Sequence, residues 1–156
     1  MQWQASLIAG AGLAALVIGS QMTTPAPGQT RAVVAFEVVG DAVPLSLTGT
    51  AGDAERGRVI AFDQARGNCT ICHTAPPEDR LQGNFAPPLK GTARRWSEGQ
   101  LRLRVADAAR LNASTLMPSY HRIEGLARVA TPFRDRPVLT AQEVEDVIAY
   151  LLTLKD

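Results

Sequence analysis

The sequence predicts an all-α domain behind an extended segment and a leader, on three observations. Two capping boxes, Ser97-Glu98-Gly99-Gln100 and Thr140-Ala141-Gln142-Glu143, each open a stretch whose apolar residues recur at helical spacing. The connecting stretches, Gln82 to Arg94 (QGNFAPPLKGTAR) and Leu111 to Pro137, are rich in Pro, Gly and polar residues, and loops of that length need something to pack on. Ahead of the first of them stands the run Cys69-Thr70-Ile71-Cys72-His73, whose spacing has a chemical reason. A length of 156 residues bounds the answer to one domain plus a leader: 1–32 leader and linker, 33–51 extended segment, 52–156 helical domain.

The opening thirty residues hold no charged side chain, and Ala5 to Gly19 (ASLIAGAGLAALVIG) is the apolar region of a secretory signal peptide. No Lys or Arg precedes it, the first basic side chain being Arg31, so either the α-amino group supplies the positive charge or the true start lies upstream. A retained membrane anchor over Trp3 to Met22 is the alternative, since a span requires roughly 20 residues. Gly10, Gly12, Gly19 and Ser20 make it a mediocre one, so removal is expected, with Ser20, Ala26 and Ala32 as imperfect cleavage points. Thr23 to Ala32 is a Pro, Gly and Thr-rich linker. Val33 to Leu47 (VVAFEVVGDAVPLSL), broken by Gly40 and Pro44, is predicted to run extended against the helical domain or a partner.

Asp53 can cap a first helix to about Ala65, with Gly57, Ile60 and Ala61 on one side and Arg56, Arg58 and Asp63 outward. The Ser97 box opens a helix to about Leu111 with Leu101, Val105 and Ala108 facing in. The Thr140 box starts a terminal helix whose Val144, Val147, Ile148 and Leu151 share a face. No internal repeat is evident.

Two residues between the cysteines let both thiols reach the two vinyl groups along one edge of a porphyrin, and His73 is then carried over the iron. The run is therefore the attachment pattern of one covalently bound haem c. A zinc site would need about two more Cys or His ligands, yet His121 is the only other residue of either type. A redox dithiol would need a βαβ setting that is not visible. A haem also answers the loop problem, because a large apolar plate substitutes for much of the core a small helical domain lacks. Attachment takes place outside the cytoplasm, which agrees with an exported, periplasmic protein. With both cysteines committed, no structural disulfide and no thiol for a sulfur intermediate remain. The formal net charge of +1, made slightly acidic by two haem propionates, argues against nucleic acid. Only Lys90 and Lys155 are lysines. The arginines suit planar pairing with carboxylates, although most fit an ordinary solvated surface.

Iron held by His73 needs a partner on the far face. Met117, the only methionine after the leader, sits in Leu116-Met117-Pro118-Ser119-Tyr120, where a proline-fixed loop can present a thioether. A soft thioether there would raise the reduction potential. His121 is the competitor, otherwise a surface or pocket-edge histidine, and an open site for gas or peroxide is a third possibility. In Ala86-Pro87-Pro88-Leu89 the Pro87 carbonyl is placed to accept the other ring proton of His73, with an ordinary turn as the alternative. Leu89 would pack on the porphyrin. Trp96 and Phe85 are read as pocket or core aromatics, and Tyr150 as a helix-packing residue.

Gly52-Asp53-Ala54-Glu55-Arg56-Gly57, Cys69 to His73, Ala86-Pro87-Pro88-Leu89 and Glu145-Asp146-Val147-Ile148-Ala149-Tyr150-Leu151 resemble, in order, the landmarks of class I cytochromes c. The resemblance covers Gly52 to Leu154 and implies a cytochrome c-like haem domain whose first and last helices cross near Gly57, Val147 and Tyr150. The pattern departs at Ala86, where a glycine is common, and at Ala61, where an aromatic is usual. Phe36 to Asp41, Arg94 to Arg104 and Leu116 to Tyr120 further resemble the SoxX family, monohaem subunits of the periplasmic SoxAX cytochrome. That likeness implies a SoxA-type partner in a heterodimer, a carrier protein bearing the substrate cysteine, and a small acceptor cytochrome. The implied reaction is oxidative coupling of thiosulfate to the carrier cysteine (L-cysteine S-thiosulfotransferase), this subunit being non-catalytic and transferring electrons. Arg94, Arg95, Arg102 and Arg104 are candidates to face the partner or steer an anionic substrate. The rivals are a free-standing periplasmic electron carrier and a haem-based gas sensor.

Overall fold

The computed structural model describes residues 32–78 and 81–156, so the signal peptide, the alternative anchor and most of the linker lie outside the described residues. Four α-helices carry the domain: α1 (Ala54–Phe62), α2 (Thr92–Arg95), α3 (Glu98–Asp107) and α4 (Ala141–Thr153). Short 3-10 turns stand at Cys69–Ile71, Ala108–Arg110 and Thr131–Phe133. Among the described residues there is no strand, only an isolated antiparallel bridge between Val39 and Ala42.

α1, α3 and α4 start where their caps require, whereas α2 opens after Gly91 with no side-chain cap, inside the Gln82 to Arg94 stretch expected to be loop. The Asp53 side chain accepts from the Arg56 N–H, and Ser97 and Thr140 form complete capping boxes with Gln100 and Glu143. α1 ends at Phe62, three residues short of the expected Ala65. The cause is Asp63, which takes extended dihedrals and turns its carboxylate back on the Ala65 N–H and the Arg66 guanidinium, competing with the helix for local donors. α3 ends at Asp107 and tightens into a 3-10 turn that reaches the expected Leu111.

The apolar face of α4 is central, with α1, α2 and α3 packed against it. Val144, Val147, Ile148 and Leu151 are buried as the spacing requires, as are Ile60, Ala61, Leu101 and Val105. At the α1–α4 crossing the backbones nearly touch. A Cβ on Gly57 would lie 1.9 Å from the Asp146 carbonyl oxygen, so only glycine fits. Tyr150 packs edge-on against Phe62 with ring centroids 6.5 Å apart, the helix-packing role expected of it. Arg56 crosses to Asp146 with Nε 2.9 Å from Oδ2. Burial would raise the Asp146 pKa, but Arg56, the Asp53 N–H and Gln142 outweigh it and hold the carboxyl below its ordinary value.

Residues 33–47 lie along the domain as an extended strap. Val43 and Leu47 enter the core, and the strap's polar groups are received by side chains of the domain. The Arg102 guanidinium donates to the Val43 carbonyl (2.8 Å) and to both oxygens of Glu145 (2.8 and 3.0 Å), and it also pairs with Glu98. Glu145 in turn accepts the Leu47 N–H at 2.7 Å. Arg102, a candidate to face the partner or steer an anionic substrate, is instead 1% exposed. Its charge is buried because two carboxylates and a strap carbonyl satisfy its planar fork, which a lysine could not reproduce.

Candidate haem site

Past Phe62 the chain makes a turn and enters the left-handed region at Asn68, a residue type that tolerates it. Cys69 to His73 then forms a single helical turn, closed by the His73 N–H on the Cys69 carbonyl at 3.0 Å. Positions i, i+3 and i+4 of such a turn share one face, which groups Cys69, Cys72 and His73. Burial pushes the Cys69 thiol up to about 11. Among the described residues no group of three or more His, Cys, Asp or Glu converges as a metal cage.

The segment after the motif folds back beside it. The N–H groups of Gly83, Ala86 and Leu89 donate to the carbonyls of Thr70, Cys72 and Thr74 at 2.8 to 2.9 Å. Gly83 permits this approach, since a Cβ there would stand 2.0 Å from the Ile71 carbonyl oxygen. His73 Nδ1 lies 2.6 Å from the Pro87 carbonyl oxygen. A carbonyl only accepts, so Nδ1 carries the proton and the Nε2 lone pair is left as the metal-binding atom. Arg95 braces the proline run, donating to the Pro88 and Lys90 carbonyls at 2.6 and 2.7 Å. Leu89 is buried, and its carbonyl is tied through the Thr92 hydroxyl to α4.

Met117 is half-buried against the core, in the loop leaving α3. Three residues on, the Tyr120 hydroxyl donates to the Gly67 carbonyl at 2.7 Å, which docks the methionine loop against the entry to the cysteine turn. His121, expected at the surface or a pocket edge, is 1% exposed. Its Nδ1 donates to the Leu139 carbonyl and its Nε2 accepts the Val34 N–H, each at 2.9 Å. Both ring nitrogens are thus committed within the protein, and burial lowers the pKa of the ring, holding it neutral.

The donor set suits a covalently held haem: two thiols on one turn, an imidazole with its tautomer fixed by a carbonyl, and a thioether on a loop that Tyr120 ties to Gly67. Ile71, Leu81, Phe85 and Leu116, which flank these groups in sequence, expose large apolar side chains that an apolar plate would cover. Phe85 is therefore not a core aromatic of the polypeptide. Trp96 is half-buried, with the Arg104 guanidinium 3.5 Å over its ring, so Arg104 too is engaged internally, whereas Arg94 and Arg95 are exposed. Neither of the two described cavities is lined by Cys69, Cys72, His73 or Met117. Sequence reasoning gave Tyr120 no role and read Arg95 only as a candidate to face the partner or steer an anionic substrate, not as the brace of the proline run. Only Tyr120 carried a signal, its nearness to Met117.

A family model described as cytochrome c matches residues 54–155. The chain belongs to the cytochrome c family, which implies covalently bound haem c. Among solved structures it is similar to "Crystal structure of SoxXA from P. pantotrophus", at 39% sequence identity and a TM-score of 0.71, covering 80% of this chain and 98% of that one. That likeness supports a SoxX-type cytochrome. No curated protein matches the chain. Among the described residues no helix is long and apolar enough to cross a membrane.

Proposed function

We propose that the chain is the electron-transfer subunit of a periplasmic SoxAX-type complex, exported by an N-terminal signal peptide, with residues 1–32 as signal peptide and linker, 33–51 as extended strap and 52–156 as haem domain. The observation that carries this reading is the similarity to SoxXA over 80% of this chain and 98% of that one, a longer stretch than the haem domain alone. One haem c per chain is held by thioethers to Cys69 and Cys72, with His73 and Met117 as iron ligands. When bound, it supplies a one-electron couple. Pro87 orients the His73 ring, Leu89 packs on the plate, and Met117 raises the potential through its soft sulfur. The commitment of both His121 nitrogens favours Met117 for the sixth position.

The complex joins a sulfur of thiosulfate to a carrier-protein cysteine. Forming that S–S bond releases one proton and two electrons, which leave singly through this subunit to a small acceptor cytochrome. The chain has no spare thiol to hold the sulfur intermediate, so the coupling chemistry belongs to the SoxA-type partner and this subunit conducts. The strap exposes Val39 and Leu45, and with α2 and its Arg94 it offers a surface for that partner.

Purification of the native protein tests the assignment. A stable heterodimer with a second cytochrome is expected, burying more than about 1,200 Å² in total. The pair should couple thiosulfate to a carrier cysteine, whereas this subunit alone should only exchange electrons. A native monomer whose deletion leaves thiosulfate oxidation intact would establish the free-carrier reading instead. For the ligands, Met117→Ala should abolish the methionine-to-iron charge-transfer band of the oxidised protein and lower its potential. His121→Ala should leave the band in place.

A further inference from the structure

The loop that carries Met117 leaves α3 at Asp107 and returns to it at Ser119. Asp107 is 3% exposed and Ser119 9%, and the serine hydroxyl donates to Asp107 Oδ1 at 2.6 Å, a charge-assisted bond between two buried side chains that closes the loop two residues past the methionine. Arg110 and Arg122 reach the same carboxylate at 3.3 Å from more exposed positions, so the serine is its best-made partner. The return strand is fixed as well. The N–H groups of Tyr120 and His121 donate to the carbonyls of Val105 and Ala106, groups in the last turn of α3 that a helix end leaves without internal partners. Met117 itself is tied only by its N–H to the Thr115 hydroxyl and by apolar packing.

From this geometry we propose that Asp107 is a positioning residue for Met117: its buried carboxylate, bonded to Ser119, closes the methionine loop and holds the thioether at the sixth coordination position. The inference rests on the reading of Met117 as the axial ligand. A loop closed at its base by a charge-assisted hydrogen bond loses much of its freedom to swing the sulfur away from the iron. Without that closure an external ligand would compete more easily.

The test is a titration of the oxidised holoprotein with imidazole, following the methionine-to-iron charge-transfer band, with far-ultraviolet circular dichroism as the check on the fold. Ser119→Ala removes the donor and leaves the carboxylate with its arginines, and it should bind imidazole roughly tenfold tighter with helix content unchanged. Asp107→Asn keeps an acceptor without the charge and should give an intermediate shift of about threefold. In the Ser119→Ala background the same change should add less than it does alone, since the two share the Ser119–Asp107 bond. Unchanged imidazole affinity in Ser119→Ala, or additive effects of the two substitutions, would overturn the proposal while leaving Met117 as ligand. If Ser119→Ala yields no holoprotein, Asp107→Asn alone decides, an unchanged affinity overturning the proposal. A wild-type protein without the band, or one whose band survives Met117→Ala, overturns the ligand reading and this inference with it.

Discussion

His121 and Met117 lie four residues apart, and both are chemically able to bind iron. Their sequence setting favoured the methionine, but only the fold takes both imidazole nitrogens out of contention, one on Leu139 and one on Val34. This arrangement has a pH signature. The ring must be neutral to accept the Val34 N–H, and its pKa is lowered from the ordinary 6.5, chiefly by burial. Between the lowered folded value and 6.5 the unfolded chain binds more protons than the folded one, so stability rises with pH through that window. The histidine's contribution should be complete above pH 6.5 and decline as the pH falls, at most about 1.4 kcal/mol per unit. Urea unfolding at a series of pH values should show this slope, and His121→Gln, neutral throughout, should flatten it. At the same scale, the Pro87 contact to His73 was legible as a possibility from a short proline run. An ordinary turn was the equal alternative, and the 2.6 Å contact required the backbone to fold back beside the cysteine turn.

The starts of α3 and α4 were readable because a capping box is a local device, satisfied within four residues, whereas α2, which has no side-chain cap, was not. Helix ends were less so. Asp63 stops α1 early with a side-chain turn that differs little in sequence from one more helical turn. The crossing of α1 and α4 allows a sharp test. Gly57→Ala forces a methyl into the Asp146 backbone and should destabilise the protein by about 3 kcal/mol in denaturant unfolding. Val59→Ala, on the exposed side of the same helix, should stay within about 0.5 kcal/mol of wild type. The strap depends on α3 and α4 through Arg102 and Glu145. Removing one member of a buried pair leaves the other charge uncompensated, so Arg102→Ala should cost about 3–5 kcal/mol. It should also open residues 33–47 to limited proteolysis, because the Val43 carbonyl loses its donor at the same time.

Over the whole molecule, Cys69→Ala combined with Cys72→Ala should give a protein without pigment in a denaturing gel. Its thermal midpoint should be clearly lowered, since a haem that would cover apolar side chains otherwise exposed, such as Ile71, Phe85 and Leu116, is no longer secured. By itself the sequence determined the helical class, the starts of α1, α3 and α4, the extended course of the strap and the cysteine-pair motif of the cytochrome c family. All of these are written in patterns a few residues long, whose physics is complete within one or two helical turns. What only the tertiary structure decided are the long-range partnerships. Arg102 meets Glu145 across 43 positions and Val34 meets His121 across 87, and a guanidinium or an imidazole has the same local signature in solvent as inside. Whether such a group is a surface charge, a metal ligand or an internal pin depends on which distant carbonyl or carboxylate reaches it first, and packing around α4 settles that.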